Sequence, residues 1–475
     1  MPVALLPALT LGPLAALRFV DVDEGSYAAA STLALDGVVP YRDFLYTQTP
    51  VLPYVYGAWS ALLGEHWLVL RGLSLVLGLA VAALLTRHLF ARFGLRLALL
   101  GSVLFATSTV VFTWYPPVKT FALATALVFA AYVLVARSDP GPRAWSAAGA
   151  LASLAVQTRA LVVGAALALA WEALRTHRGL ARYALGFGAA LVPTVALFAL
   201  DPRAFLFGNL GVHGVRSEGG FVGDFEQKAK VVANLLGIAT ESRPVPQYLL
   251  LVAAATVAAI VLRRASGRLP LWFLAAALLA VVALIPTPTY TQYFATTIPF
   301  LVVGVIELVR VAADDLRSQR GVGATLIPAA GVVWLSLYLV PAPVDFYRLT
   351  QASREDRPLG VQEVVDYLGA RTRTAETVLA SWPGYLFGTD ARPVPGLEND
   401  FGPHDAEPLS PEDARRYRLV TAAEVEQMIR ERRTRLVVVK LWHVLAPVPD
   451  FDGAARDAGY RLAAEINGAR VYSAP

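Results

Sequence analysis

The chain has 475 residues, 56% of them hydrophobic and only 16% charged, with a mean hydropathy of +0.53. Water-soluble domains carry about 25% charged residues, so a single large soluble enzyme is excluded. The absence of cysteine excludes thiol nucleophiles, disulfide frameworks and cysteine-ligated zinc or iron–sulfur sites. The net charge of +5 comes from arginines in short clusters between apolar runs, which does not make a stripe for nucleic acid.

Charge divides the chain. Residues 1–341 hold 24 Lys/Arg and 16 Asp/Glu, whereas residues 342–475 hold 17 and 20. The first part reads as a polytopic α-helical membrane domain and the second as an α/β domain. A transmembrane helix needs roughly 17–25 mostly apolar residues. Eleven stretches answer that description: 3–20, 67–86, 97–113, 120–136, 144–157, 160–174, 183–200, 247–262, 269–285, 293–310 and 322–341. The pair 144–157 and 160–174 is short and reads either as two spans or as one bent element. The opening stretch lacks a charged n-region and a small-residue cleavage site, so it reads as a retained span.

If that first span leads outward, every second connection lies in the cytoplasm. Those connections contain Arg87, Arg92 and Arg96; Arg137 and Arg143; Arg175, Arg178 and Arg182; Arg263, Arg264 and Arg268; and Arg310, Arg317 and Arg320. The positive-inside rule then orients the chain in a plasma (inner) membrane, and an odd number of spans leaves the C-terminal domain outside.

Two long connections, 21–66 and 201–247, fall on the outer side. The first opens Asp21-Val22-Asp23-Glu24-Gly25-Ser26-Tyr27-Ala28 and contains six acids, one base and seven aromatic residues. Three carboxylates within four positions repel one another, which favours raising a pKa or gathering a cation. A carboxylate at the lip of the bilayer is placed to act as general base toward a hydroxyl. Spacing alone equally allows a helix cap, with the acids complementing the dipole of a helix over Gly25–Leu35. The second connection is glycine-rich at first and then amphipathic from Phe225 to Ile238, as expected of a lid or of a helix lying on the membrane.

The tail gives a helix at Val361–Leu368, a strand at Thr377–Ser381 and a Gly/Pro-rich stretch through Pro411. A helix at Ala422–Arg432, a strand at Leu436–Val439, a further helix and a strand at Ala469–Tyr472 complete a small α/β layer. No GxGxxG or P-loop marks a nucleotide site. The six histidines are scattered, His66 and His213 reading as interfacial, so no ligand spacing supports a divalent metal and no cofactor is implied.

The first outer loop resembles a known family. Asp23-Glu24-Gly25 and Tyr27-Ala28, then Leu35, Gly37 and Pro40-Tyr41-Arg42-Asp43-Phe44, then Tyr46, Pro50 and Pro53-Tyr54 are similar to membrane glycosyltransferases of the GT-C superfamily. The likeness is to the bacterial family 39-like branch related to protein O-mannosyltransferases and lipid A aminoarabinose transferases. Gln157-Thr158-Arg159 and Tyr290-Thr291-Gln292-Tyr293 add weaker echoes.

The resemblance implies transfer of a sugar from a polyprenyl-phosphate donor to a hydroxyl of a lipid, glycan or protein acceptor on the outer face. It implies inversion, with Asp23 as catalytic base and Glu24 beside it. The departing phosphate needs cations, for which Arg42, Arg71, Lys119 and Arg159 are candidates. Asp21, Tyr27, Asp43 and Tyr293 complete the expected substrate-binding set. Lys119 stands where many relatives carry a second acid, and Gln48-Thr49 replaces the charged pair of aminoarabinose transferases.

The same residues admit other roles. Lys119 and Arg159 can snorkel to the interface, Tyr293 can belong to an aromatic belt, and Arg71, about one turn inside its span, calls for a polar cavity. A transporter or lipid-linked-sugar flippase would place ionisable groups near mid-membrane in matched halves, which this sequence does not do. An assembly or scaffold protein leaves the charged rim unexplained.

Overall fold

The protein is described by a computed structural model covering residues 5–176, 179–217, 220–238, 247–318, 323–440 and 449–475. Arg178, Arg320 and positions 239–246 of the second outer connection lie outside the described residues.

Helix α1 (Leu5–Leu17) ends abruptly, and α2 (Val22–Leu35) leaves it at 87°. The corner is coded locally. Asp21 accepts from the Asp23 amide, and Glu24 reaches back to accept from the Asp21 amide at 2.7 Å, a capping box that starts a helix at that point. The first outer connection is therefore largely helical, with α3 (Val51–Leu63) following α2.

Helix α4 (Trp67–Phe93) has 27 residues, about 40 Å at 1.5 Å per residue. Helices α5 (Leu95–Ala106) and α6 (Thr109–Trp114) divide the expected span 97–113. The break is satisfied from elsewhere: Gln247 donates to the Thr107 carbonyl (3.0 Å) and accepts from the Thr109 amide (2.8 Å). Next come α7 (Thr120–Val135), α8 (Pro142–Thr158) and α9 (Val163–Leu174). The pair 144–157 and 160–174 is two helices, parted where Arg159 turns extended (φ −153°, ψ 115°) ahead of one 3-10 turn.

Helix α10 (Gly179–Leu200) leads to α11 (Pro202–Leu206), α12 (Val212–Val215) and α13 (Gly220–Leu235). The amphipathic stretch is thus helical, and Gln227 pins it by exchanging two hydrogen bonds with the Thr289 backbone. Helices α14 (Gln247–Ser266), α15 (Leu271–Ala283), α16 (Ile298–Ser318), α17 (Gly323–Leu339) and α18 (Pro341–Thr350) complete this part. Among the described residues five helical stretches are long and apolar enough to cross a membrane, or six if α1 and α2 count as one bent span. Length and composition therefore do not reach the expected eleven. α5, α7, α15 and the stretch 160–174 are apolar but shorter, in part because Thr107–Ser108 and Arg159 interrupt the runs.

Beyond α19 (Pro358–Gly369) the chain forms a five-stranded sheet of β1 (Thr377–Ala380), β2 (Arg392–Pro393), β3 (Leu436–Val439), β4 (Arg461–Ile466) and β5 (Ala469–Ser473). The spatial order is β2-β1-β3-β5-β4, with β1 parallel to β2 and β3 and the rest antiparallel. Asn467 and Gly468, both at positive φ (49° and 73°), make the tight β4–β5 hairpin. Neither β2 nor β4 was expected from the sequence: β2 is two residues long, and β4 is an exposed edge.

The α/β part docks on α2. Trp382 donates to the Val22 carbonyl (2.8 Å) and stacks on Trp67 at 5.4 Å. A Cβ at position 25 would lie 2.3 Å from the Trp382 ring, so only glycine fits there. Tyr27, Leu52, Trp67, Val364 and Trp382 share one buried cluster, which makes helix bundle and sheet a continuous core around α2.

Candidate active site

A cavity of about 360 Å³ opens where the two parts meet. Asp23, Ser26 and Tyr27 line it because positions i, i+3 and i+4 share a helix face. Glu24, about 100° further around the helix, turns away. Lys119 enters from just before α7, Arg159 from the α8–α9 break, and Tyr290, Gln292 and Tyr293 from the turn before α16. His213 and Arg216 come from the second outer connection, and Glu398, Asn399 and Phe401 from the α/β part.

Lys119 is the hub. Its Nζ donates to Asp23 Oδ2 (2.7 Å) and Gln292 Oε1 (2.9 Å) and lies 2.7 Å from Asp21 Oδ1. It sits 5.0 Å from the centre of the Trp114 ring. Asp21 is 14% exposed and Asp23 28%, so Asp23 is the more accessible of the two carboxylates.

Arg159 packs its guanidinium against Phe121 and Tyr293, 4.5 Å from each ring centre, and donates to Thr120 Oγ1 (3.0 Å). Its buried Nε has no hydrogen-bond partner. Arg216 is fixed by a two-point fork onto Asp405 (2.7 and 2.6 Å) and lies over Phe401. Burial and the Arg216 and Arg159 charges push the His213 imidazole down to about 4, leaving it neutral near pH 7.

Two carboxyls of the α/β part stand apart from ordinary acids. Burial pushes Glu398 up to about 7. Burial, reinforced by the Asp23 charge, pushes Asp400 up to about 7 although the Ser26 hydroxyl donates to it at 2.5 Å. Among the described residues no three His, Asp or Glu side chains converge as a metal-ligand set.

Six of the ten expected residues meet at this cavity: Asp21, Asp23, Tyr27, Lys119, Arg159 and Tyr293. The other four do not. Glu24 and Arg71 are fully buried outside it, joined by two hydrogen bonds (2.9 and 2.6 Å). Arg71 spends its remaining donors on the carbonyls of Ala15, Arg18 and Phe19, and Glu24 also accepts from the Val118 amide at 2.8 Å. Together they lock the α1–α2 corner, so the polar surroundings that Arg71 requires are a buried ion pair and not a substrate cavity. Arg42 and Asp43 pair with each other at 2.7 Å on an exposed turn, where Asp43 also accepts from the Val39 amide.

The cap reading thus holds for Asp21 and Glu24, while Asp23 keeps an open carboxylate. Sequence reasoning missed Arg216, Glu398, Asn399 and Phe401, whose only local trace was a Gly-rich connection and a Gly/Pro-rich stretch, and gave no role to Ser26, which stood in the opening of the first outer connection.

Two crystal structures of ArnT from Cupriavidus metallidurans share this architecture. The apo form superposes with a TM-score of 0.65 at 14% identity, and the form bound to undecaprenyl phosphate with 0.64 at 15%. Each comparison covers 99% of this chain and 97% of that one. An Archaeoglobus fulgidus oligosaccharyltransferase tethered to an acceptor peptide gives 0.50 at 12%, covering 93% of this chain and 69% of its own. The chain shares the fold of these solved structures. No protein-family model matches the chain, and no curated protein does. The resemblance found in the first outer loop and the likeness of the whole fold therefore agree, at identities that leave the chemistry to be argued from the cavity.

Proposed function

We propose that the chain transfers a sugar from a polyprenyl-phosphate donor to an acceptor hydroxyl, with inversion and with Asp23 as general base. The observation that carries this reading is the meeting of an accessible carboxylate with two buried cations, Lys119 and Arg159, in one cavity. The acceptor oxygen attacks the anomeric carbon as its proton passes to Asp23. The carbon–oxygen bond to phosphate breaks on the opposite side, and the phosphate takes the electron pair. Lys119 and Arg159 offset that growing charge in a site shielded from bulk water, where such contacts count most. Tyr27 and Tyr293 form apolar walls beside them. Undecaprenyl phosphate in the ArnT structure supports a lipid-linked donor, and a lipid, glycan or protein hydroxyl fits the acceptor role.

We place the eleven spans in the inner membrane with residues 342–475 extracytoplasmic. Helix α4 supports this orientation: its Trp67 end stacks on Trp382 of the α/β part, while its far end carries Arg87 and Arg92. Arg92 there pairs with Glu307 of α16 at 3.2 Å. The cavity thus lies toward the end of α4 opposite Arg87 and Arg92, the side on which the positive-inside rule puts the outer face. A flippase without transferase activity needs ionisable groups along a path through the bundle. Here the cavity charges cluster at helix ends and breaks.

The test uses membranes holding the protein, incubated with radiolabelled polyprenyl-phosphate sugars. Wild type transfers label and Asp23→Asn loses about 10²–10⁴-fold in rate, the usual worth of a general base. Equal transfer by the two refutes the assignment.

A further inference from the structure

Beneath the cavity the fold buries a cation that the reaction as read above does not use. Arg18, just past α1, is 1% exposed, yet its Nε has no partner and its NH1 reaches the Phe19 carbonyl only at 3.4 Å. Its ion pair with Asp21 Oδ2 spans 3.9 Å. Neighbouring Arg71, by contrast, bonds two carboxylate oxygens and three carbonyls. Apart from the Phe19 ring, 4.3 Å from its Cζ, this buried guanidinium has only one long hydrogen bond and a long ion pair, which costs free energy and makes sense if a second arrangement pairs it better.

The charge count shows what that arrangement is. Glu24 and Arg71 neutralise each other and Arg159 is held against the Phe121 and Tyr293 rings, so the cations paired with Asp21 and Asp23 are Lys119 and Arg18. Lys119 serves both aspartates at once, at 2.7 Å each. Both cations approach the Trp114 ring, Lys119 Nζ at 5.0 Å and Arg18 Cζ at 5.8 Å from its centre. A phosphate in the cavity that draws Lys119 to itself strips both aspartates of their close cation.

We propose that Arg18 is a reserve counter-ion: when a donor phosphate takes Lys119, Arg18 closes the 3.9 Å gap onto Asp21 and Asp23 alone is left uncompensated, ready to accept the acceptor's proton. This rests on the polyprenyl-phosphate reading above. Arg18 is a positioning residue that touches neither substrate. It keeps Asp21 from becoming a second unpaired charge, so donor binding and activation of the base become one event. The bond changes remain those already given: the acceptor proton goes to Asp23, and the leaving pair to the phosphate oxygen beside Lys119.

The experiment measures binding of undecaprenyl phosphate to the full chain in nanodiscs by native mass spectrometry, for wild type, R18Q, D21N and the double variant. R18Q is expected to bind about ten- to a hundredfold more weakly, because Lys119 can leave only by stranding a buried carboxylate. Adding D21N restores binding, since no charge remains to be compensated and asparagine caps a helix about as well as aspartate. D21N alone, which frees Lys119 from one carboxylate, binds at least as tightly as wild type; this arm stands even if R18Q folds poorly. Wild-type binding by R18Q, failure of D21N to rescue it, or tenfold weaker binding by D21N alone each overturn the inference. If wild type itself binds no undecaprenyl phosphate, the donor reading falls first.

Discussion

The adjacent acids Asp23 and Glu24 offer a sharp separation of catalysis from stability, because the sequence pairs them and the fold parts them. All four contacts to the Glu24 carboxylate come from donors: Arg71 Nε and NH2 and the amides of Asp21 and Val118. In E24Q the side-chain amide must turn its NH2 toward at least one of these donors, and Arg71 is left buried without its counter-charge. Removing one partner of such a pair costs about 3–5 kcal/mol. Asp23 is 28% exposed, and without its charge Lys119 still keeps Asp21 at 2.7 Å, so D23N is expected to cost clearly less than E24Q, about 1–2 kcal/mol. Thermal unfolding in detergent, followed beside label transfer on the same preparations, reads both quantities. E24Q should melt well below wild type, whereas D23N melts near it and transfers almost nothing. A normally melting E24Q that is as inactive as D23N would refute the division of roles and return Glu24 to the chemistry.

Two further outcomes follow from the contribution of the α/β part to the cavity. Glu398 and Asp400, ordinarily near 4.5 and 3.8, both stand near 7 in the folded protein. The native state therefore holds protons that the unfolded chain has released, and stability falls as pH rises from about 4 to about 7 and then levels; E398Q/D400N should flatten that slope in melting curves, and an unchanged slope would count against these carboxyls. D405N breaks the fork that holds Arg216 at the cavity wall, where its charge would add to those of Lys119 and Arg159 on a donor phosphate, and is expected to raise the donor KM about tenfold with a smaller fall in kcat; an unchanged KM would show that Arg216 gives the donor nothing.

How much of this was legible in the sequence depends on how far apart the partners lie. The capping box spans three residues and could be read locally. So could the run of apolar stretches, the arginine clusters and most of the sheet strands. The interruptions could not, because their causes are distant: Gln247 satisfies the break at Thr107–Thr109 from another helix, and Arg159 is extended where aromatic rings from α7 and the turn before α16 receive it. The roof of the cavity was equally hidden, since Ser26 meets Asp400 across 374 positions. The two readings of Asp21–Glu24, a helix cap and a catalytic carboxylate, looked like rivals because spacing was the only evidence. In three dimensions they are consequences of one geometry. A helix that begins at Val22 sends successive side chains about 100° apart. The cap that buries Glu24 against Arg71 is therefore what points Asp23, Ser26 and Tyr27 into the cavity, and a chain without the cap would have no means of aiming the base.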